Sequence, residues 1–206
     1  MIKPGNNFFI RHILHFYITW IVKRHFHELK FDAIDVDPNK SILLIANHFS
    51  FWDSLILFVV CRKLTKKNFH VMAREDTTVK FQYVKHGGAF SIDKQSREIL
   101  QSLGYAAELL NDPQNLVLIF PQGKLYSNFV NTVQFEKGIM RVMEKANGKF
   151  QLLFAATFVQ YLKHKKPTAT IYLKTEPSEG KSFEDLKNAY QMHYDNAKLQ
   201  QTEIVI

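Results

Sequence analysis

Residues 42–45 read Ile-Leu-Leu-Ile, an apolar run with no polar alternation, and the chain passes from it straight into Ala46-Asn47-His48. A strand with one wet face alternates polar and apolar side chains. A run without alternation suits a strand covered on both faces. Similar short runs recur along the chain, separated by longer stretches of helical periodicity. Strands are predicted at residues 41–46, 69–73, 89–92, 116–120, 152–158 and 169–173, and helices at 53–62, 94–110, 135–146 and 183–200. That alternation predicts an α/β fold with a mostly parallel sheet flanked by helices.

Three of the runs end in polar residues. Residues 42–45 lead to Asn47-His48, 89–92 to Asp93-Lys94, and 117–120 to Pro121-Gln122-Gly123-Lys124. Ligands of open α/β sheets bind beyond the carboxyl ends of the strands. If these three strands are parallel, the three clusters share one edge.

Composition narrows the class. With 206 residues, 46% hydrophobic and 22% charged, the chain has enough apolar material for one real core. The single cysteine, Cys61, follows Phe58-Val59-Val60. It allows no disulfide within the chain, suits a reducing compartment, and reads as a small buried hydrophobe. Lys and Arg number 27 against 19 Asp and Glu, a net charge of +8. Such a surface attracts nucleic acid, an anionic membrane face or small anionic substrates. Nucleic acid is not the expected partner: the 18 phenylalanines sit mostly in core-like runs, and no nucleic-acid motif is present.

The stretch FFIRHILHFYITWIV, residues 8–22, is too short and interrupted to span a bilayer, and no small-residue cleavage site follows it. On a helix of about 100° per residue, Arg11, His12, His15, Thr19 and Lys23 fall within an arc of roughly 120°. The rest of the circumference is apolar. This predicts an N-terminal amphipathic membrane-interface helix with its basic stripe toward headgroups; the alternative is a helix packed on its own domain with one wet stripe. The expected organisation is a membrane-associating helix over residues 1–30 and an α/β domain over 31–206, peripheral at the cytoplasmic face of a membrane.

His48 and Asp53 are separated by enough chain to turn from strand into helix. Asp53 then falls in the first helical turn, where the positive end of the dipole favours a carboxylate. Folded back, it accepts a hydrogen bond from one imidazole nitrogen and leaves the other as a base. The plainer alternative is a capping Asp beside a surface His. No obvious protein nucleophile accompanies the pair: there is no G-x-S-x-G elbow around Ser50, and Cys61 has no flanking signature. A bound acceptor would supply the nucleophile. No metal motif and no glycine-rich nucleotide motif is present, so no metal is expected.

At this point the chain resembles the glycerolipid acyltransferase superfamily, of the lysophosphatidic-acid acyltransferase type. Asn47-His48-Phe49-Ser50-Phe51-Trp52-Asp53 resembles its N-H-x4-D signature. Gly87 to Lys94 (GGAFSIDK) resembles the second block, Phe120-Pro121-Gln122-Gly123 the third, usually F-P-E-G-T-R, and Phe135-Glu136-Lys137-Gly138 the F-K-x-G that follows. The blocks occur in the family's order and cover roughly residues 40 to 175. The resemblance implies an acyltransferase with His48 as general base and Asp53 as its orienting carboxylate. It implies acyl-CoA or acyl carrier protein as co-substrate, no separate cofactor, and no covalent acyl-enzyme. Substrate contacts would come from Gly88, Phe90, Asp93, Lys94, Phe120, Pro121, Gln122, Gly123 and Lys124, with backbone N–H groups near Gly123 as oxyanion donors. The chain departs from the pattern at Gln122, Lys124 and Leu125, where the family has Glu, Thr and Arg, and at Lys94, where it has Arg. Ammonium and guanidinium present different donor geometry to phosphate, so the acceptor is open between lysophosphatidic acid, another lysolipid and an amine-bearing lipid.

Overall fold

A computed structural model of the chain describes residues 3–5, 7–74, 86–92, 99–146, 148 and 150–205. Among them are seven strands and five helices: α1 Phe8–His25, β1 Glu28–Phe31, β2 Ser41–Ala46, α2 Asp53–Leu64, β3 Asn68–Arg74, β4 Ala89–Ile92, α3 Ile99–Leu109, β5 Asn115–Ile119, α4 Gly138–Lys145, β6 Phe150–Gln160, β7 Thr168–Glu176 and α5 Phe183–Thr202. The strands form one sheet in the order β1-β7-β6-β2-β5-β3-β4. Every neighbouring pair is parallel except β6 and β7. The α/β fold with a mostly parallel sheet is as the sequence predicts.

The apolar run at 42–45 is the centre of the sheet, and every residue of β2 is buried. Its side chains divide by parity, as a strand's must. Leu43 and Ile45 join a core with α3, α4 and α5 on one face; Ile42, Leu44 and Ala46 join a second core with α1 and α2 on the other. Two helical layers therefore sandwich the sheet, which explains why β2 shows no alternation.

α1 extends through His25, past the stretch analysed in the sequence, and lies on the α2 side. Asn7 caps it by accepting from the Ile10 N–H at 3.1 Å. Leu14, Ile18 and Val22 are its buried stripe. Its polar stripe does not simply face outward: His15 is half-buried, packed on Phe58 with ring centroids 4.8 Å apart, and Thr19 donates to the His15 carbonyl. The helix packs on its own domain and still leaves Phe8, Phe9, Ile10, Ile13, Phe16, Tyr17 and Trp20 exposed. None of the helices among the described residues is long and apolar enough to cross a membrane.

Two elements differ from expectation. β1 straddles the boundary drawn at residue 30 and pairs with β7; its half-exposed four-residue pattern carries no run to detect. α4 begins at Gly138 rather than at Phe135. Phe135 instead packs on Tyr190, and the Glu136 N–H donates to the Pro121 carbonyl at 2.8 Å, so this segment ties down the loop after β5.

Candidate active site

β2 and β5 are adjacent and parallel, with Ile45 opposite Ile119. Their carboxyl ends deliver His48 and Phe120 side by side, and the two rings stack with centroids 4.1 Å apart and planes 15° from parallel. Asn47 anchors the exit of β2: its amide donates to the Thr157 carbonyl at 2.9 Å and its oxygen accepts from the Thr157 N–H at 2.8 Å. The turn that follows leads into α2, whose first residue is Asp53.

Asp53 is 1% exposed, and its carboxylate is fully engaged. Oδ2 accepts from His48 Nδ1 at 2.8 Å, from the Phe49 N–H at 2.7 Å and from the Ser50 N–H at 2.8 Å. Oδ1 accepts from the Ser50 hydroxyl at 2.9 Å. Three protein donors besides the imidazole, with the positive end of α2, stabilise this buried anion. A carboxylate only accepts, so Nδ1 carries the proton and the neutral ring has its lone pair on Nε2. Nε2 has no protein partner among the described residues, and the His48 side chain is 24% exposed. Ser50 is thus committed to holding Asp53, and its hydroxyl also accepts the Trp52 N–H at 3.0 Å.

The loop after β5 contributes positioning that sequence reasoning assigned to substrate. Gln122 is 2% exposed, and its carboxamide oxygen accepts from the His48 N–H at 2.6 Å. The Tyr126 N–H donates to the His48 carbonyl at 3.0 Å. Both polar backbone groups of the histidine are therefore held by one loop. Gly123 has φ +64°, a conformation that favours glycine, and its N–H donates to the Phe120 carbonyl at 3.2 Å, so that donor is already engaged and is not an open oxyanion donor. Pro121 is buried, and Lys124 is exposed with its ammonium 5.3 Å from the Tyr126 ring.

Of the second block, Gly88 and Phe90 are placed for packing. Gly88 precedes β4, at the far end of that strand from its carboxyl terminus. It has φ +95°, and a Cβ there would collide with the Phe69 backbone oxygen, so the glycine serves the close approach of β4 to β3. Phe90 is fully buried in the core against Tyr105. Asp93 and Lys94 lie outside the described residues. Burial pushes the Cys61 thiol up to about 12, which removes it as a nucleophile. No group of three or more metal-ligating side chains occurs among the described residues.

The acyltransferase family model matches residues 24–161, which include the dyad and the loop after β5. The chain belongs to the acyltransferase family. No curated protein matches this acyltransferase. The matched span begins near the end of α1 and ends just after β6, so most of α1, β7 and α5 lie outside it.

Proposed function

We propose that this acyltransferase moves a fatty acyl chain from a thioester, on coenzyme A or acyl carrier protein, to the hydroxyl of a lysolipid such as a 1-acylglycerol-3-phosphate. The observation that carries the reading is the His48–Asp53 contact, with Nε2 unpartnered among the described residues at the sheet edge and no competent protein nucleophile beside it. In the proposed reaction, Nε2 takes the hydroxyl proton as the acceptor oxygen bonds to the thioester carbonyl carbon. The tetrahedral intermediate collapses, the carbon–sulfur bond breaks, and the imidazolium returns the proton to the departing thiolate. Asp53 stabilises the imidazolium between the two steps. An amine-bearing lipid remains the second acceptor class, favoured by the departures at Lys124 and Leu125 from the family's Thr-Arg.

The same proposal puts the enzyme on the cytoplasmic face of an anionic membrane. The exposed aromatic side of α1 supports it, because such side chains bind where acyl chains meet headgroups. Lys23 and Arg24 in the last turn add attraction of about 1 kcal/mol each near an anionic leaflet. His25 and Phe26 pack on Trp52, beside exposed Phe51 in the dyad turn, so the α1 surface continues to the mouth of the site.

The test is to incubate purified protein with long-chain acyl-coenzyme A or acyl carrier protein and a panel of lysolipids and amino-lipids. Thiol release and product mass are followed beside His48→Ala. Acylated product from the wild type alone is expected and names the acceptor. Equal turnover by His48→Ala overturns the general-base role, and no product from any pair, with vesicle binding retained, favours a lipid-binding module without activity.

A further inference from the structure

A cavity lies away from the dyad, between the start of α1, the last turn of α2 and the beginnings of β3 and β4. Its volume is about 260 Å³. Arg62, on its wall, lies about 14 Å along the α2 axis from Asp53 at the usual rise per residue. Arg11, Arg62, Lys66 and Lys67 line it, and no Asp or Glu does among the described residues. The cationic concentration therefore has no carboxylate counterion on the described walls.

The individual groups are poised rather than satisfied. Arg62 donates to His15 Nδ1 at 2.7 Å, which leaves most of its guanidinium N–H groups available. That bond requires His15 to accept, and burial with the neighbouring Arg62 and Arg11 charges lowers its pKa to about 4, which keeps the ring neutral. His70 and His86 also line the cavity, with Nδ1 of each turned into the protein and not toward the open space. α1 also begins here, with no acidic residue in its first turn, and brings the positive end of its dipole. The α2 terminus brings about half a negative charge, which the cationic side chains exceed.

We propose that this cavity is a second binding site, separate from the His48–Asp53 dyad, and that it takes a phosphate group. Planar guanidinium forks suit phosphate oxygens. The volume falls below the roughly 300–1,000 Å³ of sites that enclose a whole drug-sized ligand, so the cavity holds a phosphorylated end while the rest of the molecule stays outside. That end has two sources of the same chemistry: the terminal phosphates of a soluble carrier, or the headgroup of an anionic lipid in the surface beside α1.

The inference does not rest on acyl transfer, and its test is independent of turnover. Calorimetric titration of the full chain with inorganic pyrophosphate at low salt is compared for wild type, Arg62→Gln, Arg11→Gln and His48→Ala. Saturable binding by wild type and His48→Ala is expected, weakened about tenfold or more in each arginine variant, the loss of one charge-assisted bond. Arg11 is exposed, so its variant keeps the test alive if Arg62→Gln fails to fold. Competition by adenosine 3′,5′-bisphosphate assigns the site to a soluble carrier; competition only by vesicles containing phosphatidate assigns it to a lipid headgroup. Absence of pyrophosphate binding by the wild type, or equal binding in both arginine variants, overturns the proposal.

Discussion

At the scale of the residue, the site depends on who holds His48. Gln122 and Asp53 grip it from opposite sides, one at the backbone N–H and one at Nδ1. Replacing Gln122 by Met keeps the volume and deletes the acceptor. The His48 N–H then lacks a partner in a largely dry place, at a cost of about 1–3 kcal/mol in stability. The prediction is a fall in kcat with KM little changed, rescued by Gln122→Glu, which restores an acceptor oxygen. A proportional rise in KM with kcat intact would mean that Gln122 meets substrate instead. Asp53→Asn should lower kcat with the fold retained, because the charge that stabilises the imidazolium is lost while the amide turns toward the Ser50 hydroxyl and the oxygen keeps the backbone donors and His48 Nδ1–H. The dyad contact was legible in the sequence, since a strand, a short turn and a helix start fix where positions 48 and 53 meet. The role of Gln122 was not, because it depends on one side chain reaching a backbone N–H across the β2–β5 boundary.

Elements show the same division between local pattern and tertiary contact. β2 and β5 were readable because a short, unbroken apolar run fits little besides a strand buried on both faces. β1 was not, because it is a short edge strand whose pairing to β7, not its composition, makes it a strand. The direction of β7 was legible in principle: the few residues from Tyr161 to Pro167 cannot hold a crossover helix, which leaves antiparallel pairing. α1 separates into two faces with opposite predictions. Phe9 and Phe16 are 76% and 75% exposed, whereas Leu14 is 9% exposed in the core shared with α2. Phe9→Ser with Phe16→Ser should leave the melting temperature unchanged and weaken sedimentation with phosphatidylglycerol-containing vesicles about tenfold or more, given about 1.5–3 kcal/mol per buried aromatic. Leu14→Ala should do the reverse, costing about 2–5 kcal/mol of stability through the cavity it leaves. Vesicle binding that survives the double serine variant would show that α1 is an ordinary packing helix.

At the scale of the whole molecule, strand order is what one sequence withholds: it names the strands but not their neighbours, so the meeting of the loops after β2 and β5 was conditional until the parallel pairing was seen. The assembled core also fixes a pH response that no segment has alone. His193 and His70 are largely buried, and desolvation lowers the pKa of each; burial likewise takes His15 down to about 4. Each ring is easier to protonate in the unfolded chain, where the usual value of about 6.5 applies. Between pH 6.5 and about 4 the unfolded state therefore binds more protons, and stability must fall as the solution is acidified through that window. Above it all three rings are neutral in both states and their contribution is complete. Acidification also adds to a net charge of +8, so self-repulsion acts in the same direction. His193→Gln gives a specific check: an amide N–H can replace the Nε2–H that donates to the Tyr172 carbonyl at 3.0 Å, but it cannot titrate. Thermal melts across pH 4 to 7 should fall toward acid in the wild type and less steeply in His193→Gln. A flat profile between pH 6.5 and 4.5 would mean that these imidazoles take up protons in the folded protein as readily as in the unfolded chain.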